Sequence, residues 1–572
     1  MFNKLKVIID NKRDTWKIIA LFTGSLIAAI SEIVSISSIP LFVGLLINPD
    51  LFQSKISNYV DISFFQSFEN NELILFGGIS LTVIFIVKNL FLVLLIYYQS
   101  AVIRDFNVKL TNKLYKLYLY APYFIHLRKN NAELVRNIIG ETSQVISMIL
   151  KIIVLSRELL VLIFIFVLIL YVDIAVTLVV FSLLTICASI FFFFTKKTIN
   201  RNAKLMQNLS ATRIQSVNET FGAIKEVKIF NIEDVFGKKF YLKNLLRENY
   251  FLINSFLVSI PRFFLEAVII FSLISVLMTF NYLNKDFNSL LPLLTLLSVA
   301  AVRLLPSFNS ITQSLSSIKG LSPSLNLVVK EILYLEEIKE TFTILKNNDF
   351  SFDKKILFNN VSFKYPDNKS NTLTEINLEI LRESKVGIIG SSGAGKSTFI
   401  NLLLGLLKPS KGNILVDGKN IEENLKTWQS YIGYVPQDIY LLDDSIKNNI
   451  TLYDENVDEH QLKKVLKLTR LEEFVNSLPH GTETYVGERG TRISGGQRQR
   501  IGIARALYKD PRIIIFDEAT NALDKENENN IMREIQAIDL KKNLIIITHK
   551  YDLVKNCNKV FTFDKGRLIQ QN

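Results

Sequence analysis

Cysteine is nearly absent from this 572-residue chain, with only Cys187 and Cys557, and histidine is limited to four residues. Cys187 falls in an apolar run and Cys557 near the end of a polar region, so the two belong to different environments. There is no CxxC pair and no metal-ligand spacing, which argues against a disulfide framework or a zinc site. Before Cys187 the sole histidine is His126. The first segment also lacks a small-residue cleavage site after its basic start (Lys4, Lys6, Lys12, Arg13, Lys17), and so reads as a retained spanning helix rather than a cleaved signal. Acidic residues are scarce in one long interval, 101–136, where Asp105 and Glu133 face Arg104, Lys109, Lys113, Lys116, Arg128, Lys129 and Arg136.

What the sequence does have is long apolar runs confined to its first half. Segments at roughly 18–47, 73–103, 143–171, 174–195, 256–282 and 287–308 approach the length a bilayer core requires. The last third alternates short apolar runs with Gly, Asp and Lys, as a soluble domain does. Basic residues cluster between segments two and three and between four and five. The positive-inside rule then places both intervals, and both termini, on the cytoplasmic side. The formal net charge of +13 is accounted for by these loops and anionic headgroups, without nucleic acid.

The basic intervals keep helical periodicity, so the spanning helices should run past the bilayer into long hairpins with tips near Ala121–His126 and Phe221–Phe230. The connection 48–72 is acidic and phenylalanine-rich. It suits a short amphipathic helix at the outer surface or a segment packed onto the bundle. The domain reading is 1–320 membrane domain, 321–350 helical linker and 351–572 soluble domain. The fold class is an α-helical six-span domain followed by an α/β domain.

The soluble domain carries the chemistry. Gly390, Ser391, Ser392, Gly393, Ala394, Gly395, Lys396, Ser397 and Thr398 follow the apolar strand Val386–Ile389 and precede a helical run, in the order a P-loop needs. Backbone N–H groups there converge on phosphate oxygens, Lys396 reaches the β- and γ-phosphates of ATP, and Ser397 can ligand Mg²⁺. The strand Ile513–Phe516 ends in Asp517, suited to the magnesium shell, and Glu518, suited to polarising the attacking water.

Ser494, Gly495, Gly496 and Gln497, within ISGGQR, resemble the signature of ABC ATPases. That resemblance implies that Ser494 and Gly496 contact the γ-phosphate held on another subunit's P-loop. It extends in order to Tyr365, matching the adenine-stacking aromatic, and to Gln437, matching the glutamine that contacts Mg²⁺ and senses the membrane domain. Asp524 matches the aspartate near the dimer seam, and His549 the γ-phosphate histidine. Ile493 replaces the usual leucine and Asn521 the commoner serine. Thr484–Gly490 resembles the exporter-specific segment before the signature. The chain is thus similar to an exporter-type half-transporter. With Glu518, Ser494 and His549 all present, the expected assembly is a homodimer in the inner membrane.

Ionisable residues also lie within or beside the apolar segments: Glu32, Lys88, Arg157, Glu158, Arg262, Glu266 and Arg303. Each costs about 2.5–3.5 kcal/mol at a helix centre, so either internal pairing or a wet cavity is implied. Pro261-Arg262, Leu265-Glu266, Arg303–Ser307, Glu32 with Pro40, and Lys88-Asn89 resemble stretches of PglK-type flippases of lipid-linked oligosaccharides. This implies flipping of such a glycolipid to the outer leaflet, with Arg262, Glu266, Arg303, Glu32, Lys88 and Arg157 as candidate substrate residues. Export of a peptide, a lipid A-like lipid or an amphipathic drug is the alternative, and an ATP-gated channel or regulator a third reading. A processing peptide exporter would carry an N-terminal cysteine protease, for which the cysteine content argues against this chain.

Overall fold

The computed structural model describes residues 2–8, 11–47, 70–172, 174–282, 287–341, 350–365, 370–518 and 542–571. The expected helix in 48–72 and Asp524 fall outside these, Glu72 and its neighbours apart. Contacts divide the chain into two units, Met1–Ala121 with His126–Glu340, and Thr341–Asn572 with Pro122–Ile125.

The first unit is helical. Its long helices are α1 (Lys12–Ile47), α2 (Asn70–Leu119), α4 (Thr142–Val172), α5 (Ile174–Gly222), α7 (Glu233–Tyr282) and α8 (Phe287–Thr341). The 50 residues of α2 or α7 span about 75 Å at 1.5 Å per residue, far more than a bilayer core. Short helices α3 (Tyr123–Arg128) and α6 (Ile224–Ile229) form where the hairpin tips were expected.

Side-chain spacing explains how these helices pack. Val161, Ile165 and Ile169 recur every four residues on α4, and Leu296, Ala300, Leu304 and Phe308 do so on α8. With Ala29 and Ile36 of α1 they form one buried core. The opposite faces are equally apolar: Ile163 and Val167 on α4 and Val302 on α8 are all exposed. A helix apolar on every side belongs in lipid. Among the described residues four stretches are long and apolar enough to cross a membrane: Lys12–Ile47, Asn70–Leu119, Asn131–Val172 and Leu294–Ile338.

The second unit has two sheets. Strands β1 (Lys355–Phe363), β2 (Leu373–Leu381), β4 (Lys411–Val416) and β5 (Lys419–Asn420) form an antiparallel sheet in the order β2-β1-β4-β5. Strands β3 (Lys385–Gly390), β6 (Ile432–Val435), β7 (Ile513–Asp517), β8 (Asn543–Thr548), β9 (Lys559–Asp564) and β10 (Arg567–Gln571) form the other, ordered β10-β9-β3-β8-β7-β6. Neighbours from β9 through β6 are parallel, and only β10 is antiparallel.

Alternation along the central strands builds a core on each face. Ile513, Ile515, Ile545 and Ile547 point to one core with Phe358, Phe399 and Phe563. Ile514, Phe516, Leu544 and Ile546 point to the other. Each fully buried side chain of this size contributes about 1.5–3 kcal/mol relative to exposure. Phe124, in the short segment grouped with this unit, packs against the first core. The parallel order brings the carboxyl ends of β3, β7 and β8 together, which is where an open α/β sheet binds ligands.

Candidate functional site: a phosphate loop facing paired carboxylates

At the end of β3 the chain turns through Ser391–Gly395 into helix α9 (Lys396–Leu403). Gly390 is required by close approach, since a Cβ there would lie 2.7 Å from the Phe563 carbonyl oxygen. Gly395 is required by conformation as well: its φ is +110°, and a Cβ would meet Leu373 Cδ2 at 2.7 Å. It stands at the N-cap of α9 without a side-chain hydrogen bond to the first turn, so the amide groups of that turn are left to a ligand or solvent.

The Lys396 side chain is only 10% exposed. Its ammonium donates to the carbonyl oxygens of Gly390 at 2.7 Å and Ser391 at 3.1 Å and lies 3.6 Å from Glu518 Oε1. Glu518, just past β7, has φ +49°, a left-handed conformation that costs a non-glycine residue about 1–3 kcal/mol and is retained where the surroundings demand it. Its amide donates to Ile547 O at 2.9 Å, its Oε2 accepts from Gln437 Nε2 at 3.1 Å, and His549 Nδ1 stands 3.7 Å from the same oxygen.

Burial raises the Asp517 carboxyl above the ordinary aspartate range, and neighbouring Glu518 pushes the same way. The hydrogen bond from Tyr434 and the charge of Lys396 oppose them. Tyr434 Oη donates to Asp517 Oδ2 at 3.0 Å, and burial, then the Asp517 charge, raises the tyrosine's own pKa.

Lys396, Gln437, Asp517, Glu518 and His549 line one pocket of about 470 Å³ with Thr372, Ser392, Gly393, Gly395, Ser397 and Thr398. Its chemistry suits a polyphosphate and a hard cation. A nearly buried ammonium and an uncapped helix start favour anionic oxygens, while Ser397, Gln437 and Asp517 supply oxygen ligands. Among the described residues no cluster of three or more His, Cys, Asp or Glu side chains could hold a metal alone. A cation held by Ser397, Gln437 and Asp517 would have positions left for phosphate oxygens and water.

Tyr365 and the Ser494–Gln497 segment lie outside this lining. Tyr365 is half-buried, edge-on to Phe363 at 4.9 Å, with its hydroxyl 3.3 Å from Thr398 Oγ1. Ser494 caps helix α10 (Gly495–Tyr508): its Oγ accepts from Gln497 N at 3.2 Å, and Gln497 Oε1 accepts from Ser494 N at 2.9 Å.

In the first unit the structure gathers four of the six candidate substrate residues. Arg303 on α8 donates from Nε to Glu32 Oε1 at 2.6 Å and from Nη1 to Ser307 Oγ at 2.9 Å. Ser307 Oγ donates to Glu158 Oε2 at 2.8 Å, and Arg303 Nη1 lies 3.4 Å from that oxygen. Arg157 pairs with Glu158 at 3.0 Å, and Lys88 lies 4.0 Å from Glu32 and 4.6 Å from the centre of the Phe85 ring. Three cations thus share two buried carboxylates across α1, α2, α4 and α8. Glu266 is exposed on α7, and the Arg262 side chain lies outside the described residues.

Sequence reasoning missed Thr372 of the pocket lining, Ser307 and Tyr434. Ser307 had a local signal, its i,i+4 spacing from Arg303. Tyr434 had only its position before Gln437, and its role depends on strand register.

A model of the ABC transporter transmembrane region matches residues 18–302, and the ABC transporter model matches 373–521. The leukotoxin export ATP-binding protein LtxB of Aggregatibacter actinomycetemcomitans is 41% identical over 218 residues, 38% of this chain and 31% of that protein. The toxin RTX-I translocation ATP-binding protein of Actinobacillus pleuropneumoniae is 41% identical over 217 residues, with the same shares. The match therefore spans about a third of the length of these relatives. The solved structure of a bacterial Atm1-family ABC exporter with ATP bound has the same fold, with a TM-score of 0.75 at 20% identity over 97% of this chain and 94% of that one. Motifs, fold and family models agree: the chain belongs to the ABC transporters, with a transmembrane and a nucleotide-binding domain on one polypeptide.

Proposed function

We propose that two copies of this chain form a homodimeric exporter in the inner membrane, with the N-terminus and the ATPase domain cytoplasmic, which couples ATP hydrolysis to outward movement of an amphipathic substrate. The observation that carries the ATPase reading is the convergence of Lys396, Asp517, Glu518, Gln437 and His549 on one pocket. Glu518 accepts the proton of the water attacking the γ-phosphate, and Gln437 and His549 hold its carboxylate and the water in line. Lys396 stabilises charge on the transferred phosphoryl oxygens. Mg²⁺, when bound, neutralises charge on the β- and γ-phosphates, and Ser397, Asp517 and Gln437 are the side chains that would hold it. Ser494 and Gly496 of one copy, with Asp524 at the seam, complete the site on the P-loop of the other, and Tyr365 stacks on adenine.

For the substrate, the named relatives favour a polypeptide. Their matched length is close to that of the ATPase domain alone, so it is the motor that they share most clearly. A second reading, flipping of a lipid-linked oligosaccharide, is favoured by the excess positive charge of the Lys88, Glu32, Arg303, Glu158 and Arg157 network, which suits an anionic headgroup. Proteoliposomes decide between them. ATP-dependent uptake of a labelled peptide into inverted vesicles, with no change in glycan accessibility, supports polypeptide export. ATP-dependent exposure of the glycan at the opposite face supports the flippase. Neither movement, with sustained ATP-dependent channel currents, would overturn both.

A further inference from the structure

The segment that ends in Gln437 holds two successive carboxylates. Strand β6 pairs in parallel with β7, with Tyr434 opposite Ile515. Side chains alternate along a strand, so 434, 515 and 517 leave the same face of the sheet. Ile515 enters the first core there, and the Tyr434 ring packs against that core. From this position the phenol hydroxyl donates to Asp517 Oδ2 at 3.0 Å. Three residues later Gln437 Nε2 donates to Glu518 Oε2 at 3.1 Å. A phenylalanine would fill the same core space, so packing accounts for the ring but leaves the hydroxyl bond unexplained.

An aspartate's terminal torsion is broad, and an unheld carboxylate swings over it. A hydrogen bond to one oxygen fixes the carboxylate plane and leaves the other oxygen for a ligand. Such partners of a ligating group change metal affinity by about 10–100-fold when lost. We propose that Tyr434 is a positioning residue for the Asp517 carboxylate, holding one oxygen so that the other is presented to the metal. This rests on the ATPase reading above.

The test uses the full-length protein in nanodiscs, with Glu518→Gln as background so that ATP persists. Tyr434→Phe keeps the ring and removes the hydroxyl. A fluorescent ATP analogue in EDTA reports nucleotide affinity without metal, and Mn²⁺ titration followed by electron paramagnetic resonance reports the metal. The expected result is metal-free nucleotide affinity and melting temperature unchanged, with Mn²⁺ half-saturation raised about tenfold. Equal Mn²⁺ affinity with and without the hydroxyl overturns the proposal. So does a parallel loss of metal-free nucleotide affinity and melting temperature, which makes Tyr434 a packing residue alone. If the background protein with Tyr434 intact binds no Mn²⁺ with ATP, the ATPase reading itself fails and the proposal with it.

Discussion

Gln437 donates from Nε2 to Glu518 Oε2 at 3.1 Å, so the residue expected to sense the membrane domain touches the residue expected to activate water. Changing Gln437 to alanine should slow hydrolysis about tenfold or more while ATP still binds, because the P-loop contacts are untouched. Phosphate release measured beside equilibrium nucleotide binding checks this. Loss of both together would place Gln437 in the binding of nucleotide instead.

Asp517 lies above the ordinary aspartate range because burial disfavours its charge. The sign follows from proton binding. Between the unfolded pKa and the raised folded pKa, the folded state holds more protons, so stability from this group falls as pH rises through that window. Asp517→Asn should therefore raise the melting temperature of the nucleotide-free protein at neutral pH. The gain should shrink as pH is lowered below the unfolded aspartate value, and metal-dependent hydrolysis should be lost throughout. A melting temperature lowered at neutral pH would contradict the sign.

Gly395→Ala should disable the phosphate loop. The left-handed backbone costs about 1–2 kcal/mol for an L-residue, and the new Cβ would press on Leu373 Cδ2 at 2.7 Å. ATP affinity should fall with expression and membrane insertion intact, as fluorescent nucleotide titration would show.

Local chemistry was legible from the sequence, and long-range pairing was not. The phosphate loop, the carboxylates at 517 and 518 and the hairpin tips could be placed because each depends on neighbours a few residues away. The intramembrane network could not be resolved into pairs, since Glu32 and Arg303 are 271 positions apart and meet only when α1 packs beside α8. Among the described residues the carboxylates of Glu32 and Glu158 pair with Arg303, Lys88 and Arg157, which come from three different helices. Tyr434 and Asp517 likewise depend on the β6 and β7 register. Helix α8 runs on to Thr341, through much of the stretch read as a helical linker, because the helical period persists there after the apolar signal fades near 308.

The Arg303 network separates packing from transport. Arg303→Ala alone leaves Glu32 and Glu158 short of a cation and should destabilise the membrane domain, by about 3–5 kcal/mol for a broken buried pair. Arg303→Ala combined with Glu32→Gln should regain much of that, as thermal unfolding in detergent would report. If Arg303 meets substrate, transport stays low in the stable double variant. Recovery of transport together with stability would assign the network to packing.

The most direct measurement is ATP hydrolysis by reconstituted wild-type protein and its Glu518→Gln variant, with bound nucleotide and subunit association followed in the same samples. Hydrolysis should fall about a hundredfold or more, while ATP remains bound and the two nucleotide-binding domains stay closed on it. Hydrolysis at the wild-type rate by Glu518→Gln would contradict the account.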